Sequence, residues 1–166
     1  MSGSEADPAT DVFTNLIESL ARAIASADAE AFAAQFAPNS SYDDNFYGRF
    51  TGRAEIERMV RDHFLKDGEA FRWTFETPVF DGRVGFAAYH FSFSPRRDKT
   101  GGARVLMIGT ARLIVENRLI VAYDDWLDSV GALVSAGVPA ERVVRSAVRH
   151  YARMIGSESV REHLTR

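Results

Sequence analysis

Hydrophobic and polar residues alternate with two different periods along this chain, and the change of period divides it into layers. From residue 11 to 65 apolar residues recur every three or four positions, which predicts helices. Phe13, Leu16, Ile17, Leu20 and Ile24 mark a helix over 11–27, with Thr10 or Asp11 as its cap. Asp28 opens a second, shorter helix, DAEAFAAQF, which places Phe32 and Phe36 on one face and ends at Pro38-Asn39. The stretch SSYDDNFYGRFTG reads as a short strand and a loop. A third helix over 53–65 follows, with Ile56, Met59, Val60, His63 and Phe64 on its inner stripe.

Beyond Asp67-Gly68 the period falls to two, the signature of strands. Phe71, Trp73 and Phe75 alternate with Arg72, Thr74 and Glu76, and Asp81-Gly82 signals a hairpin. The next strand, 84–94, puts Tyr89, Phe91 and Phe93 on one face and Phe86, Ala88, His90 and Ser92 on the other. Two long strands, 104–116 and 119–127, complete a four-strand meander around Asn117-Arg118, a turn whose type stays open without the usual glycine. Simple alternation gives Ala122, Asp124 and Trp126 one face of the last strand, opposite Val121, Tyr123 and Asp125. Helical spacing then returns over 129–135 and, behind Pro139, over 140–155. On this last helix Val144, Ala147, Val148, Tyr151 and Ile155 form an apolar stripe, and Arg142, Arg145, Arg149 and Arg153 a basic one. The basic stripe is read as a solvated face or the partner of an acidic surface within the chain. The fold class is therefore α+β: a curved antiparallel sheet with helices on one face and a C-terminal helical extension.

Composition narrows the function classes. A chain of 166 residues can bury a substantial core, and its net charge of −3 favours neither nucleic acid nor an anionic membrane as partner. Cysteine is absent, which removes disulfides, thiolate metal sites and a cysteine nucleophile. No run reaches transmembrane length, and the polar N-terminus is unlike a signal peptide, so a cytoplasmic location is expected. His63, His150 and His163 have no companion at ligand spacing, so neither a metal nor another cofactor is expected.

The order of FAAQFAPNSSYDDNF after two helices, TGRAEIERMV in the third and RLIVAYDDWLD closing the sheet resembles a known superfamily. It is similar to the nuclear-transport-factor-2-like fold, in its SnoaL-like (polyketide-cyclase-like) and ketosteroid-isomerase-like branch. The resemblance covers residues 11–135, leaving 1–10 as a frayed tail and 136–166 as an extension. It implies a cone in which helices close one side of a bent sheet around an apolar cavity. It also implies a homodimer joined through the outer face of the sheet, which would give Tyr89, Phe91 and Phe93 a surface to cover. Asp44 falls where the ketosteroid isomerases carry their general base. The places of that family's oxyanion hole hold Leu20 and Gly109, which argues against steroid isomerisation by that route. Other branches carry acid/base carboxylates on later strands, a place that Asp124 fits.

The candidate catalytic residues are thus Asp44, His90 and Asp124, with Tyr42, Met59, Val60, Met107 and Trp126 as substrate-binding walls. Each has a structural alternative: a turn aspartate for Asp44, a hydrogen-bonded structural histidine for His90, and an arginine ion pair for Asp124. Which of Asp124 and Asp125 faces the cavity is left open, because both can do so only if a bulge intervenes. The expected function is cofactor-independent acid/base chemistry on a small hydrophobic molecule: isomerisation, cyclisation, dehydration or epoxide hydration. A non-catalytic binding or assembly module of the same fold is the alternative.

Overall fold

In the computed structural model, which describes residues 8–97, 101–156 and 158–164, six strands form one curved, unclosed sheet with helices against its concave face. Helix α1 spans Pro8–Ala25 and α2 Ala29–Ala33, with the Asp28 carboxylate capping α2 through the Ala31 amide at 2.8 Å. The predicted second helix is shorter than its spacing suggests. Phe36 already begins β1 (Phe36–Asp44), which runs straight through Pro38 and pairs antiparallel with β2 (Gly48–Thr51). Helix α3 (Arg53–Met59) continues through a π-helical turn, Val60–Phe64, into α4 (Leu65–Asp67). The meander follows as β3 (Gly68–Phe80), β4 (Val84–Pro95), β5 (Val105–Glu116) and β6 (Leu119–Leu127). Strand order is β2-β1-β6-β5-β4-β3, and β1 joins the meander by pairing parallel with β6. The C-terminal part consists of α5 (Ser129–Ser135), α6 (Ala140–Ile155), α7 (Glu158–Arg161) and a 3₁₀ turn.

The core lies between α1–α3 and the sheet. Phe13, Ile17, Leu20 and Ile24 of α1 are fully buried, each contributing about 1.5–3 kcal/mol relative to exposure. Phe13 stacks on Phe80 at 5.1 Å and fills the space over Gly85, where a Cβ would stand 2.3 Å from its ring. Met59 and Val60 are equally buried; they belong to this core and do not reach the cavity described below. The expected frayed tail falls mostly on residues 1–7, outside the described residues, while residues 8–10 belong to α1. Among the described residues, no helix is long and apolar enough to cross a membrane.

Two turns define the meander. Asp81 holds the β3–β4 turn by accepting from the Arg83 and Val84 amides at 2.8 and 2.6 Å. At the β5–β6 turn Asn117 and Arg118 have φ of 50° and 64°, both left-handed, which makes it the mirror-image turn that suits strand twist. Glu116 therefore faces Leu119 and Val115 faces Ile120, but the register then slips by one residue, so that Ile114 faces Ala122. One extra residue is thus accommodated in β6 near Val121, and every later side chain of the strand changes face. Ile120, Tyr123, Asp125 and Leu127 point inward, whereas Asp124 and Trp126 point outward.

That slip overturns part of the sequence reading. Asp124 lies on the outer face, paired with Arg112 at 3.0 Å, and Trp126 beside it is 48% exposed. His90 is also outside: it lies opposite Ile108, and its Nδ1 meets Glu76 at 3.2 Å. Conversely, Tyr89, Phe91 and Phe93, expected to cover a partner, face the cavity. The outer sheet face carries Phe86, Leu106, Ile108 and Trp126 in their place.

Candidate active site

Between the concave face, α4, α5 and α6 lies a cavity of about 400 Å³, the size of a small-molecule site. Its walls are mainly apolar and aromatic: Phe64, Phe71, Trp73, Phe91, Met107 and Leu127 among them. Three carboxylates border it, Asp44 from the end of β1, Asp125 from β6 and the exposed Asp67 at the end of α4. Of the residues predicted from the sequence, the structure brings Tyr42, Asp44 and Met107 to this cavity. His90, Asp124 and Trp126 are turned to the outer face, and Met59 and Val60 lie in the core.

Asp125 is held on both oxygens. The Tyr89 hydroxyl donates to Oδ2 at 2.8 Å, and the Asn45 side-chain amide donates to Oδ1 and also to the Asp125 carbonyl at 3.3 Å. Tyr89 reaches it because its cross-strand neighbour is Gly109. A Cβ there would stand 2.8 Å from the tyrosine hydroxyl and 2.6 Å from the Trp126 carbonyl. The space over Gly109 is therefore not open but filled by the phenol. Burial pushes Asp125 up to about 7, and the nearby charge of Asp44 adds to the rise, while the bonds from Tyr89 and Asn45 restrain it.

Asp44 combines the two roles weighed for it. Its Oδ1 accepts from the Phe46 and Tyr47 amides at 2.7 Å each, as a turn aspartate does, yet its side chain borders the cavity. Burial raises its pKa, opposed by those two amides and by the charges of Arg153 and His63. Tyr42 and Tyr123 stack at 4.3 Å with rings 6° from parallel, and burial raises both phenols well above their ordinary range. At the rim the Tyr47 hydroxyl donates to Asp67 at 2.6 Å, and its ring stacks on His63 at 4.7 Å. The C-terminal helix is fastened to this end of the sheet, since Arg153 donates to the Asp44 and Asn45 carbonyls at 3.0 and 3.4 Å. Among the described residues no group of three or more His, Asp or Glu side chains is placed to hold a metal ion.

Asn45 and Tyr89 were missed as site residues, and Asp125 was considered only as the open alternative to Asp124. For Asn45 a signal existed, its place beside Asp44 in YDDNF. For Tyr89 none did, because β4 carries apolar residues on both faces, and for Asp125 the bulge in β6 decided what alternation had left open.

Chemically, the arrangement offers a carboxyl group whose pKa burial pushes up to about 7, a second carboxylate at the same cavity and largely aromatic walls. Such a group can take a proton when ionised and give one when protonated.

The SnoaL-like domain family matches residues 17–123 of the chain. No curated protein matches it. Among solved structures, it is similar to a hypothetical protein with a ketosteroid isomerase-like fold from Catenulispora acidiphila, in complex with trimethylamine. That likeness has TM-score 0.68 and 17% identity, covering 76% of this chain and 95% of the other. A putative polyketide cyclase from Xanthomonas campestris has TM-score 0.62 and 18% identity over 77% and 98% of the two chains. An LEH-like epoxide hydrolase of M. tuberculosis has TM-score 0.63 and 16% identity over 90% and 100% of the two chains. At these identities the structures bear on the fold alone.

Proposed function

This chain belongs to the SnoaL-like family, and on that premise we propose a cofactor-independent acid/base enzyme acting on a small, largely apolar molecule held in the cavity. The observation that carries the proposal is the placement of Asp125, a carboxyl group held by Tyr89 and Asn45 at a largely apolar cavity that Asp44 also borders, where burial pushes its pKa up to about 7. Asp125 is the proton carrier. Tyr89 and Asn45 fix its orientation, and they stabilise its ionised form enough to keep its pKa near neutrality. Asp44, anchored by two backbone amides, is the electrostatic partner and the second candidate base. Proton transfer beside a carbonyl, ring closure, dehydration and epoxide hydration all need such a pair, and the site favours none over the others.

The test is a carboxyl-carbon NMR titration with the wild type and Asp44→Asn. Asp125 is expected to titrate near 7 in the wild type and lower in the variant, which lacks the charge of Asp44. Titration in the ordinary carboxylate range in the wild type would remove the basis for the acid/base reading. A shifted wild-type value justifies screening apolar ketones and epoxides, with Asp125→Asn as the inactive control.

We also propose a homodimer joined through the outer sheet face. Phe86, Leu106, Ile108 and Trp126 are each 40–56% exposed there, large apolar side chains gathered on one face of the kind that marks an interaction site. Sedimentation should show a dimer that Leu106→Asp converts to a monomer. A wild type that is monomeric at micromolar concentration would contradict this.

A further inference from the structure

Helix α6 is amphipathic, yet it turns its basic side inward. Arg142, Ser146 and Arg149 line the cavity, and Arg153 on the same side binds the Asp44 carbonyl. The apolar stripe meanwhile faces water, with Val144, Val148 and Tyr151 exposed by 61%, 63% and 57%. A helix placed by apolar burial alone would be rotated the other way. Val143 and the Arg153 bonds hold it to the sheet, but the guanidinium groups of Arg142 and Arg149 make no hydrogen bond or ion pair among the described residues. The cavity thus carries carboxyl groups on its sheet side, Asp44 and Asp125, and guanidinium groups on its exposed α6 side, with aromatic and aliphatic walls around them.

We propose that the molecule taken by this cavity is an amphipathic acid: an apolar body with an anionic group, which Arg142 and Arg149 hold at the mouth. Guanidinium groups match an anionic oxygen pair in shape and charge, and at a cavity rim they hold it without the desolvation cost of full burial. The opposite orientation would set the anion against Asp44 and Asp125, where like charges repel. Binding by the arginines therefore directs the apolar end of the molecule toward the acid/base pair and gives the site a single productive polarity. This inference rests on the cavity being the site proposed above and adds the class of molecule it accepts.

The experiment is calorimetric titration with three probes that share one apolar body: naphthylacetate, naphthylacetamide and naphthylethylamine. At about pH 8 Asp125 is ionised, so any preference for an anion has to come from the basic end. The acid is expected to bind at least about tenfold more tightly than the amide, with an advantage that shrinks as salt is raised. In Arg142→Ala/Arg149→Ala the acid should fall to the affinity of the amide while the amide is unchanged. Arg142→Lys/Arg149→Lys should keep part of the preference. Both arginines are exposed, so these variants are expected to fold, which the unchanged amide affinity verifies. Equal binding of acid and amide, tighter binding of the amine, or an acid preference that survives loss of both arginines would overturn the inference and leave the acid/base cavity standing. If none of the three binds, the open apolar cavity falls, and this inference with it.

Discussion

Asp125→Asn is expected to make the protein more stable than the wild type above neutral pH while removing its chemistry. The native pKa of Asp125 is raised from 3.8 to about 7. Between those values the folded state holds a proton that the unfolded chain has released, so wild-type stability falls as pH rises through the window and stays low above it. The loss is on the order of 2–4 kcal/mol, and an asparagine that cannot ionise does not suffer it. Below the unfolded value both states of the wild type are protonated, and the two proteins should be about equally stable. Urea unfolding at acidic and alkaline pH measures the difference directly. On a substrate found by screening, turnover should fall by about 10²–10⁴-fold, the usual contribution of a positioned acid or base. A variant less stable than the wild type at alkaline pH would mean that the ionised carboxylate holds the fold together, and the reading of Asp125 as a desolvated acid would be lost.

Gly109→Ala should damage both the fold and the site, although the residue touches no ligand. The new methyl group would lie 2.6 Å from the Trp126 carbonyl and 2.8 Å from Cζ and the hydroxyl of Tyr89. The carbonyl belongs to a paired strand, and Tyr89 is 3% exposed, wedged edge-on against Trp73 and Phe75 at 5.9 and 6.2 Å. Neither can retreat without moving its neighbours, so a destabilisation of about 1–3 kcal/mol is expected. Whatever movement occurs draws the hydroxyl away from Asp125 and removes a bond that restrains its pKa. The titration of Asp125 should therefore move to higher pH, and the pH profile of any activity should follow it. Tyr89→Phe separates the two effects, since it removes the bond without the clash and should shift the titration alone. If Gly109→Ala leaves both thermal stability and the Asp125 titration unchanged, the close contact of Tyr89 with the glycine is not a constraint.

The family match and the proposed site carry different weight. Residues 17–123 place the chain among SnoaL-like proteins, whose fold leaves the reaction open, because the chemistry of such a scaffold lies in the side chains that its cavity collects. Here that collection is Asp44, Tyr89 and Asp125, with Asn45 bonded to Asp125 behind it and Arg142 and Arg149 lining the cavity from α6. Only Asp44 of this set was named as catalytic from the sequence. It stood out because it lies in YDDNF, at the end of the first strand, where the resemblance to the ketosteroid isomerases implied a general base.

What the amino-acid sequence determined by itself is the layering. Helical spacing of Phe13, Ile17, Leu20 and Ile24, alternation in β3, and turn residues at Asp81-Gly82 and Asn117-Arg118 are local properties, and the elements form where they point. Pro139 ahead of α6 and Asp128, which caps α5 through the Gly131 amide, are legible for the same reason. The tertiary structure alone decided which face of each strand is the inside. Strands β4 to β6 carry apolar residues on both faces, so alternation cannot choose between them, and one extra residue near Val121 exchanges Asp124 for Asp125 in the cavity. The direction of α6 was decided in the same way. Its apolar and basic stripes are both plain in the sequence, but only the placement of the helix against the mouth of the cone, with Arg153 on the β1 carbonyls, turns the basic one inward. A side chain's periodicity is set by its neighbours in the chain, whereas its facing is set by what the rest of the chain packs against it.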